Sequence, residues 1–324
     1  MLRMDGFTYR HATSWAHALE LWQANPDARY VAGGTDLLPN VKHGIFKPRT
    51  LVGLSGIPGG VELVHEGVRI GAAMRLQDLA DDPVVRELLP PLAASAGLVA
   101  SPQIRAMGTL GGNVLLDTRC LYYNQTEPWR QALGYCLKAS GTWCHVVGGP
   151  KTCVATQSSD TVPVLLALDA RLHLLGPAGA RVLAIRDLYR FNGMDHLAVE
   201  PNELLTDIVV PRPGGGFRGS YQKLRTRDSI DFPQLGVAIC GEWAGTTPTR
   251  LEIVIGAASP QPKPLRGLEA FLGRPLGDEG VQEIATLAHK QTRPQDSVHG
   301  GAAWRRQMAA VFVRRGLTQL REAK

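Results

Sequence analysis

The most restrictive feature of this sequence is a long central stretch that has neither helical nor strand periodicity. It runs from Asp117 to Ala155 and reads DTRCLYYNQTEPWRQALGYCLKASGTWCHVVGGPKTCVA. Four of the chain's five cysteines lie in it, namely Cys120, Cys136, Cys144 and Cys153. Because a long segment without regular structure needs some other source of order, these thiols are candidate ligands of a metal ion or an iron–sulfur cluster.

The spacing of the cysteines does not name the metal. Fifteen, seven and eight residues separate successive members of the set, which matches neither the paired cysteines of zinc ribbons nor the usual ferredoxin runs. By donor chemistry, a closed zinc site, a [4Fe–4S] cluster and four unligated buried thiols all stay open. The fifth cysteine, Cys240, stands in the apolar run LGVAIC, which predicts a buried small hydrophobic residue.

Composition excludes several classes of protein. With 324 residues and 44% hydrophobic content, the chain is long enough for two or three domains, and a disulfide framework is not expected for its size. The sequence has neither an uninterrupted apolar run of about 18 residues nor a leader-like N-terminus. We therefore expect a cytoplasmic protein without a membrane segment. The net charge of +6 comes from scattered lysines and arginines, which is not the pattern of a nucleic-acid-binding protein.

Two glycine turns are candidate anion sites. VAGGTDLL (residues 31–38) follows a short predicted strand, and TLGGN (residues 109–113) repeats the same device. Successive backbone amides in such turns can point at an anion, and the missing Cβ atoms let a phosphate come close to the main chain. Neither turn matches the dinucleotide fingerprint or the Walker loop. Taken singly, each is also explained as an ordinary structural turn.

The C-terminal third predicts strands followed by helices, an α+β pattern. PRPGGG (Pro211 to Gly216) is the best linker candidate in the chain, because its prolines and glycines disfavour both an α-helix and the hydrogen-bonding pattern of a β-sheet. Near the end, Trp304, Met308, Val311 and Phe312 fall at helical spacing. They predict a docked amphipathic helix whose arginines face solvent.

A specific resemblance emerges from several motifs taken together. In order along the chain they are VAGGTDLLP, LVGLSGIPG, IGAAMRLQDL, ASPQIRAMGTLGGNV, SSDTVPVLLALDA, YQKLRTRDSIDFPQLGVAI and GAASPQPKPLR. The sequence resembles the FAD-binding subunits of the xanthine dehydrogenase and molybdenum hydroxylase family over nearly its whole length. The resemblance implies an α+β chain with a two-part FAD-binding domain of the vanillyl-alcohol-oxidase (PCMH) type and a C-terminal α+β flavoprotein domain. The implied domains are residues 1–58, 59–212 with an insert at about 117–157, and 215–324.

The same resemblance implies where FAD binds, with its diphosphate between the two glycine turns. The implied cofactor-binding residues are Val31, Ala32, Gly33, Gly34, Thr35, Asp36, Leu37, Thr109, Gly111, Gly112, Asn113, Ser159, Asp160 and Lys223. Asp160 would lie beside the sugar-like part of the cofactor and Lys223 near the isoalloxazine ring. Without the family, Asp160 is explained as a helix N-cap and Lys223 as a solvated strand residue.

Most members of that family lack the cysteine segment. The flavin subunits of 4-hydroxybenzoyl-CoA reductases carry one, and this sequence is similar to them through DTRCLYYNQTEPWR, GYCLK, CHVV and CVAT. The similarity implies that the four cysteines hold a [4Fe–4S] cluster. It also makes Tyr122, Tyr123, Trp129 and Trp143 candidates to shield the cluster from water.

The resemblance implies a flavin and iron–sulfur electron-transfer subunit, with no catalytic residue of its own. Its partners would be a molybdenum-cofactor large subunit, a [2Fe–2S] small subunit and ferredoxin, and the reaction would be reductive dehydroxylation of an aromatic CoA thioester. One alternative is the flavin subunit of a molybdenum hydroxylase that oxidises an aromatic or heterocyclic substrate. Another is a zinc-stabilised binding protein without catalysis.

Overall fold

The computed structural model describes residues 3–296 and 301–323. The first part of the chain forms a small parallel sheet with strand order β1-β3-β2. Its elements are β1 (Thr8–His11), α1 (Trp15–Gln23), β2 (Ala28–Val31), α2 (Leu37–Lys42) and β3 (Thr50–Gly53). Helix α1 begins where Ser14 Oγ accepts a hydrogen bond from the amide of His17, as a serine N-cap does.

The middle part contains a five-stranded antiparallel sheet and the helices that pack on it. Its elements are β4 (Val61–Val64), β5 (Gly67–Gly71), α3 (Leu76–Asp81), α4 (Pro83–Leu88), α5 (Pro90–Gly97), α6 (Pro102–Arg105), α7 (Leu110–Val114), α8 (Glu127–Ala132), α9 (Thr161–Ala167), β6 (Arg171–Gly176), β7 (Gly179–Ala184) and β8 (Leu204–Val210). Strand β8 is inserted between β5 and β6, so that the sheet order is β4-β5-β8-β6-β7. The five buried residues of β8 explain its central position, because an edge strand would expose them.

The last part folds as a four-stranded antiparallel sheet of order β12-β11-β10-β9 with two long helices. Its elements are β9 (Phe217–Leu224), β10 (Leu235–Ala244), β11 (Thr247–Gly256), β12 (Lys263–Pro264), α10 (Asp278–Gln291) and α11 (Ala302–Glu322). The proline–glycine segment 211–216 connects β8 to β9.

Strand β10 is buried on both faces, which accounts for its continuous apolar sequence. Val237 and Ile239 belong to the core cluster shared with α10 and α11. Ala238 and Cys240 point the other way, into the core cluster that contains α5 and α9. Because alternate side chains of a strand face opposite sides, one strand joins the C-terminal core to the middle part. The prediction that Cys240 is a buried small hydrophobic residue is confirmed, since only 1% of it is exposed.

The predicted C-terminal helix is present, and most of its predicted buried face is confirmed, since Phe312 is buried and Met308 and Val311 pack against the same core. The prediction is wrong for two residues. Trp304 is 45% exposed and Arg305 is fully buried. The buried stripe continues through Ala309, Val313, Gly316 and Leu317. Apolarity alone pointed to Trp304, whereas the helix buries the arginine because backbone carbonyls are available to it, as described in the Discussion.

Candidate functional site

The first glycine turn lies between the end of β2 and the start of α2. Gly34 has φ +69°, in the left-handed region that favours glycine. Within the described part of the chain, the amide N–H groups of residues 33–37 donate no hydrogen bond. Consecutive amides without acceptors form a concave donor surface for an anion. The turn can therefore accept a phosphate group.

The second glycine turn packs directly against the first. A Cβ atom added to Gly33 would overlap the carbonyl oxygen of Met107, and one added to Gly108 would lie 3.5 Å from Thr35 Oγ1. Only a residue without a side chain fits such a close approach of two backbones at Gly33. The structure thus brings together two turns that are far apart in sequence.

The two turns differ in the donors that they offer. Four of the five amides of the second turn have acceptors, with Leu110 donating to the carbonyl of Met74 (2.9 Å), Gly111 to that of Ala72 (2.8 Å), Asn113 to that of Thr109 (2.9 Å) and Gly112 to Thr109 Oγ1 (3.1 Å). Gly111 serves packing, because a Cβ there would lie 2.8 Å from the methyl group of Ala72. The two motifs are alike in sequence, but a run of consecutive free amides occurs in the first turn, at residues 33–37, and not at residues 109–113.

Asn113, at the end of the second turn, is tied to the segment before α9. Its buried carbonyl Oδ1 accepts hydrogen bonds from Ser159 Oγ (2.5 Å) and Thr161 Oγ1 (2.7 Å). Ser159 Oγ in turn accepts from the amide of Val162 (3.2 Å), which caps α9. Two predicted cofactor-binding residues, Asn113 and Ser159, therefore contact each other.

The four cysteines of the central segment line one small pocket. All four are buried, with 6–9% of each residue exposed, and none forms a disulfide. The remaining lining residues are Tyr122, Tyr123, Leu137, Lys138, His145, Val146, Val154 and Ala155. The donor set and its largely apolar surroundings fit a thiolate-bound iron–sulfur cluster.

The thiols share this pocket without forming a site for a single ion. Among residues 3–296 and 301–323, no group of three or more His, Cys, Asp or Glu side chains is arranged to hold a metal ion. Burial raises the pKa of Cys120 to about 11 and also raises the pKa of Cys153. Both thiols are thus protonated at neutral pH unless a cation displaces the protons.

The aromatic residues around the thiols divide into two pairs. Tyr122 and Tyr123 line the pocket, as expected. Trp129 and Trp143 are 38% and 51% exposed and are not part of the lining. The expectation that all four aromatic side chains surround the thiols is therefore met only by the tyrosines.

The cysteine segment lies against the first glycine turn. Arg119, next to Cys120, forms an ion pair with Asp36. Asn124 Nδ2 donates to Asn40 Oδ1 (3.3 Å), and Arg130 Nη2 donates to the carbonyl oxygens of His43 (3.3 Å) and Gly44 (3.1 Å). The candidate anion site and the candidate metal pocket are consequently neighbours.

Comparison with known families decides which family this architecture represents. Residues 5–213, more than half of the chain, match the FAD binding domain in molybdopterin dehydrogenase. The chain belongs to this family of FAD-binding subunits. Residues 219–320 of the subunit match the CO dehydrogenase flavoprotein C-terminal domain.

Relatives of known activity match this FAD-binding subunit over almost its whole length. The aldehyde oxidoreductase FAD-binding subunit PaoB of Escherichia coli is 31% identical over 90% of this chain and 92% of its own. The carbon monoxide dehydrogenase medium chain of Afipia carboxidovorans is 30% identical over 96% of this chain and 95% of its own. The solved structure of reconstituted CO dehydrogenase from Oligotropha carboxidovorans matches with a TM-score of 0.81 and 27% identity, covering 98% of this chain and 99% of that chain.

These comparisons confirm the predicted fold class, an FAD-binding domain followed by a C-terminal flavoprotein domain. They support the family as a whole and do not select one reaction within it, since the relatives act on different substrates. In the described residues, no helix has the length and apolar character needed to cross a bilayer.

In this FAD-binding subunit, Asp160 and Lys223 form a buried ion pair. Lys223 Nζ donates to Asp160 Oδ2 (3.0 Å) and to the carbonyl oxygens of Leu98 (2.9 Å) and Asp231 (3.1 Å), so its three N–H groups all have acceptors. Tyr221 donates to Asp160 Oδ1 (2.8 Å). Burial raises the pKa of Asp160 to about 6, against the opposing effect of Lys223.

The solvated-strand explanation of Lys223 is wrong, and the N-cap explanation of Asp160 holds for its position but not for its side chain. The Lys223 side chain is 1% exposed, so that it is not a solvated strand residue. Asp160 precedes α9 but makes no side-chain cap, because Ser159 supplies the capping oxygen. The pair instead links the segment before α9 to β9.

Two residues of the site were not predicted from the sequence. Tyr221 lies two positions before Lys223 on β9, and strand alternation would have placed both on one face. Arg119 had no such signal, because its partner Asp36 lies in a distant turn. Its adjacency to Cys120 was the only indication.

Proposed function

We propose that this chain is the flavin and iron–sulfur electron-transfer subunit of a heteromeric molybdenum enzyme. One observation carries the proposal: a pocket lined by four buried thiols lies beside a glycine turn with free amides. Family membership supports the flavin part. The thiol pocket supports the iron–sulfur part.

The flavin site consists of the residues implied by the sequence, with the first turn as the main donor surface. The proposed FAD-binding residues are Val31, Ala32, Gly33, Gly34, Thr35, Asp36, Leu37, Thr109, Gly111, Gly112, Asn113, Ser159, Asp160 and Lys223. The free amides of residues 33–37 would bind the diphosphate. Asn113 and Ser159 hold the second turn to α9, and Lys223 acts through Asp160 and the Asp231 carbonyl. Bound flavin supplies electron transfer in pairs or singly.

The metal site consists of Cys120, Cys136, Cys144 and Cys153. Four thiolates around a shared pocket suit a [4Fe–4S] cluster, which supplies one-electron transfer. Tyr122 and Tyr123 keep water from the thiols, and burial of this kind is one of the protein's means of setting a cluster potential. The ion pair between Arg119 and Asp36 holds this segment next to the flavin turn.

For the reaction, we propose a 4-hydroxybenzoyl-CoA reductase-like enzyme. Electrons from ferredoxin would pass through the cluster and the flavin to a [2Fe–2S] small subunit and a molybdenum-cofactor large subunit. There an aromatic CoA thioester would lose its phenolic hydroxyl group. The cysteine segment, with its match through all four thiols, supports this choice.

A second candidate is the flavin subunit of a hydroxylase, with electrons leaving through the flavin. The relatives favour it, since they include a nicotine 6-hydroxylase medium subunit from Paenarthrobacter nicotinovorans, 26% identical over 98% of this chain. The cysteine pocket would then have no part in accepting electrons from a donor protein.

Cofactor analysis of the complex, purified without air, tests the proposal. We expect FAD together with iron and acid-labile sulfide in amounts that include one cluster on this subunit. Serine variants of Cys120, Cys136, Cys144 and Cys153 should each lose that iron while keeping FAD. Cys240→Ser is the control, because this buried thiol lies in β10 away from the pocket. Wild-type iron content in all four pocket variants would refute the cluster.

Reductive titration separates the two reaction candidates. A cluster potential below that of the flavin is expected for inward electron flow from ferredoxin. A cluster potential well above that of the flavin would instead favour the hydroxylase.

A further inference from the structure

The first glycine turn contains a negative charge where an anion is proposed to bind. Asp36 lies among the free amides of residues 33–37, and its side chain is 27% exposed. A carboxylate next to a diphosphate is unfavourable, because like charges at short range repel and partial burial reduces screening. The turn therefore needs a nearby cation.

Arg119 supplies that cation from the cysteine segment. Its guanidinium pairs with Asp36, and its side chain is only 20% exposed. The backbone of Arg119 is fixed by reciprocal hydrogen bonds with Thr156, one of 2.8 Å and one of 2.7 Å. The guanidinium carbon also lies 4.3 Å from the centre of the Phe232 ring, which belongs to the loop between β9 and β10.

The guanidinium also keeps an unused donor. Arg119 Nε is buried and has no partner among the described residues. Asp36 also has a contact with an uncharged side chain, since Asn40 Nδ2 donates a hydrogen bond to its Oδ2 (3.1 Å). Asn40 carries no charge, so that only Arg119 among these contacts can neutralise the carboxylate.

We infer that Arg119 is a charge-compensating positioning residue of the flavin site, which neutralises Asp36 so that an anionic diphosphate can approach the first glycine turn. The inference rests on the flavin part of the proposed function and is independent of the cluster. It assigns to the cysteine segment a role in FAD binding as well as in holding metal.

The test measures FAD affinity of the complex after its flavin has been removed, by titration at low ionic strength. Arg119→Gln should weaken FAD binding by about fivefold to tenfold, the size of one partly exposed charge contact. Arg119→Lys should retain most of the affinity. Lys151→Gln is the matched control, because it removes the same charge from an exposed position of the same segment.

The double variant Arg119→Gln/Asp36→Asn distinguishes charge compensation from a merely structural role. With the carboxylate removed, the cation is no longer needed, and FAD affinity should return to within about twofold of the wild-type value. A double variant as weak as Arg119→Gln, or an Arg119→Gln variant as tight as wild type, would overturn the inference. So would loss of iron together with flavin affinity in Arg119→Gln without rescue by Asp36→Asn. Absence of iron from the wild-type complex would defeat only the cluster, since FAD affinity is the quantity measured here.

Discussion

Gly33 shows how a single position can hold two parts of a site together. Its Cα hydrogen faces the carbonyl of Met107, and any added Cβ would overlap that oxygen. The first glycine turn keeps its free amides beside the second turn only because nothing intervenes. Gly34 has a separate requirement, its left-handed backbone.

Replacing Gly33 with alanine should therefore separate the turns. We expect the Gly33→Ala variant to bind FAD about tenfold more weakly or worse, and to lose about 1–3 kcal/mol of unfolding free energy through overpacking. Flavin titration and urea denaturation measure the two effects. Gly60→Ala is the control, since no atom lies within 4 Å of a Cβ at that position. Equal behaviour of the two variants would contradict this account of the turn.

His196 gives the protein a dependence on pH that can be measured. Its Nε2 is paired with the carbonyl oxygen of Leu116 at 3.1 Å, and burial lowers the pKa of His196 below 6.5. The folded state then binds fewer protons than the unfolded state once the pH falls below that value. Stability contributed by the neutral imidazole is present at higher pH and is lost as the pH falls through this window.

We accordingly expect His196→Gln to flatten the decline of unfolding free energy between pH 7 and pH 5, about the range in which histidine titrates. Urea unfolding at several pH values measures the slope. His65→Gln, at an exposed position, should leave the slope unchanged. An unaltered slope in His196→Gln would assign the acid sensitivity to other groups.

Helix α11 illustrates how an element is oriented by polar contacts as well as apolar ones. Arg305 Nε donates to the carbonyl oxygen of Gln234 (2.8 Å), Nη1 to that of Gln295 (2.9 Å) and Nη2 to that of Ala257 (2.5 Å). Three acceptors for one guanidinium offset the cost of its burial. Further along, Gly316 allows Ile239 of β10 to approach the helix closely.

Removing these hydrogen bonds should destabilise the C-terminal part. Arg305→Met keeps most of the apolar stem but leaves the carbonyl oxygens without their donors. We expect a loss of about 2–4 kcal/mol in unfolding free energy. Arg314→Met on the exposed side of the same helix should change stability by less than about 0.5 kcal/mol. Similar values for both variants would show that Arg305 does not hold the helix in place.

For the cysteine segment, the sequence indicated the chemistry of the side chains but not their arrangement in space. Its four thiols were recognisable as a candidate ligand set because metal binding depends on residue type. The segment contacts α2 and its flanking residues through Asn124 and Arg130. Those contacts involve positions far apart in the chain, which no local pattern reveals.

At the scale of the molecule, a buried ion pair between described residues joins the C-terminal sheet to the FAD-binding part. Asp160 precedes α9, whereas Lys223 and Tyr221 lie on β9. The apolar packing of Ala238 and Cys240 against the middle core runs alongside it. The two regions are thus joined by both charge and hydrophobic contact.

Removing only one charge of the pair should lower the unfolding free energy much more than removing both charges. Lys223→Met leaves the Asp160 carboxylate buried without its cation, and we expect a loss of about 3–5 kcal/mol in unfolding free energy. The double variant Lys223→Met/Asp160→Asn should recover a large part of that loss. Thermal and urea unfolding provide the measurements, with exposed Lys290→Met as the control. Purely additive effects would show that the two residues act independently.

Signals carried by neighbouring residues predicted much of this protein. The alternation and length of apolar runs indicated the strands of the C-terminal sheet, and the segment from Pro211 to Gly216 marked the connection between β8 and β9. The Gly33-Gly34 turn was recognisable because a turn of this kind requires particular residue types. The burial of Arg305 in α11 and the central position of β8 were not predicted, since each depends on what the rest of the chain packs against it.

The sequence by itself therefore determined the chemistry of the residues. It supplied four thiols of a type that can bind metal, and glycines that can adopt backbone conformations other residues disfavour. Tertiary structure alone decided which amides stay free, which charges are paired and which side chains are buried. The physical reason is that backbone flexibility and donor type belong to each residue separately. Burial, hydrogen-bond satisfaction and charge pairing, as between Arg119 and Asp36, arise only when distant segments meet.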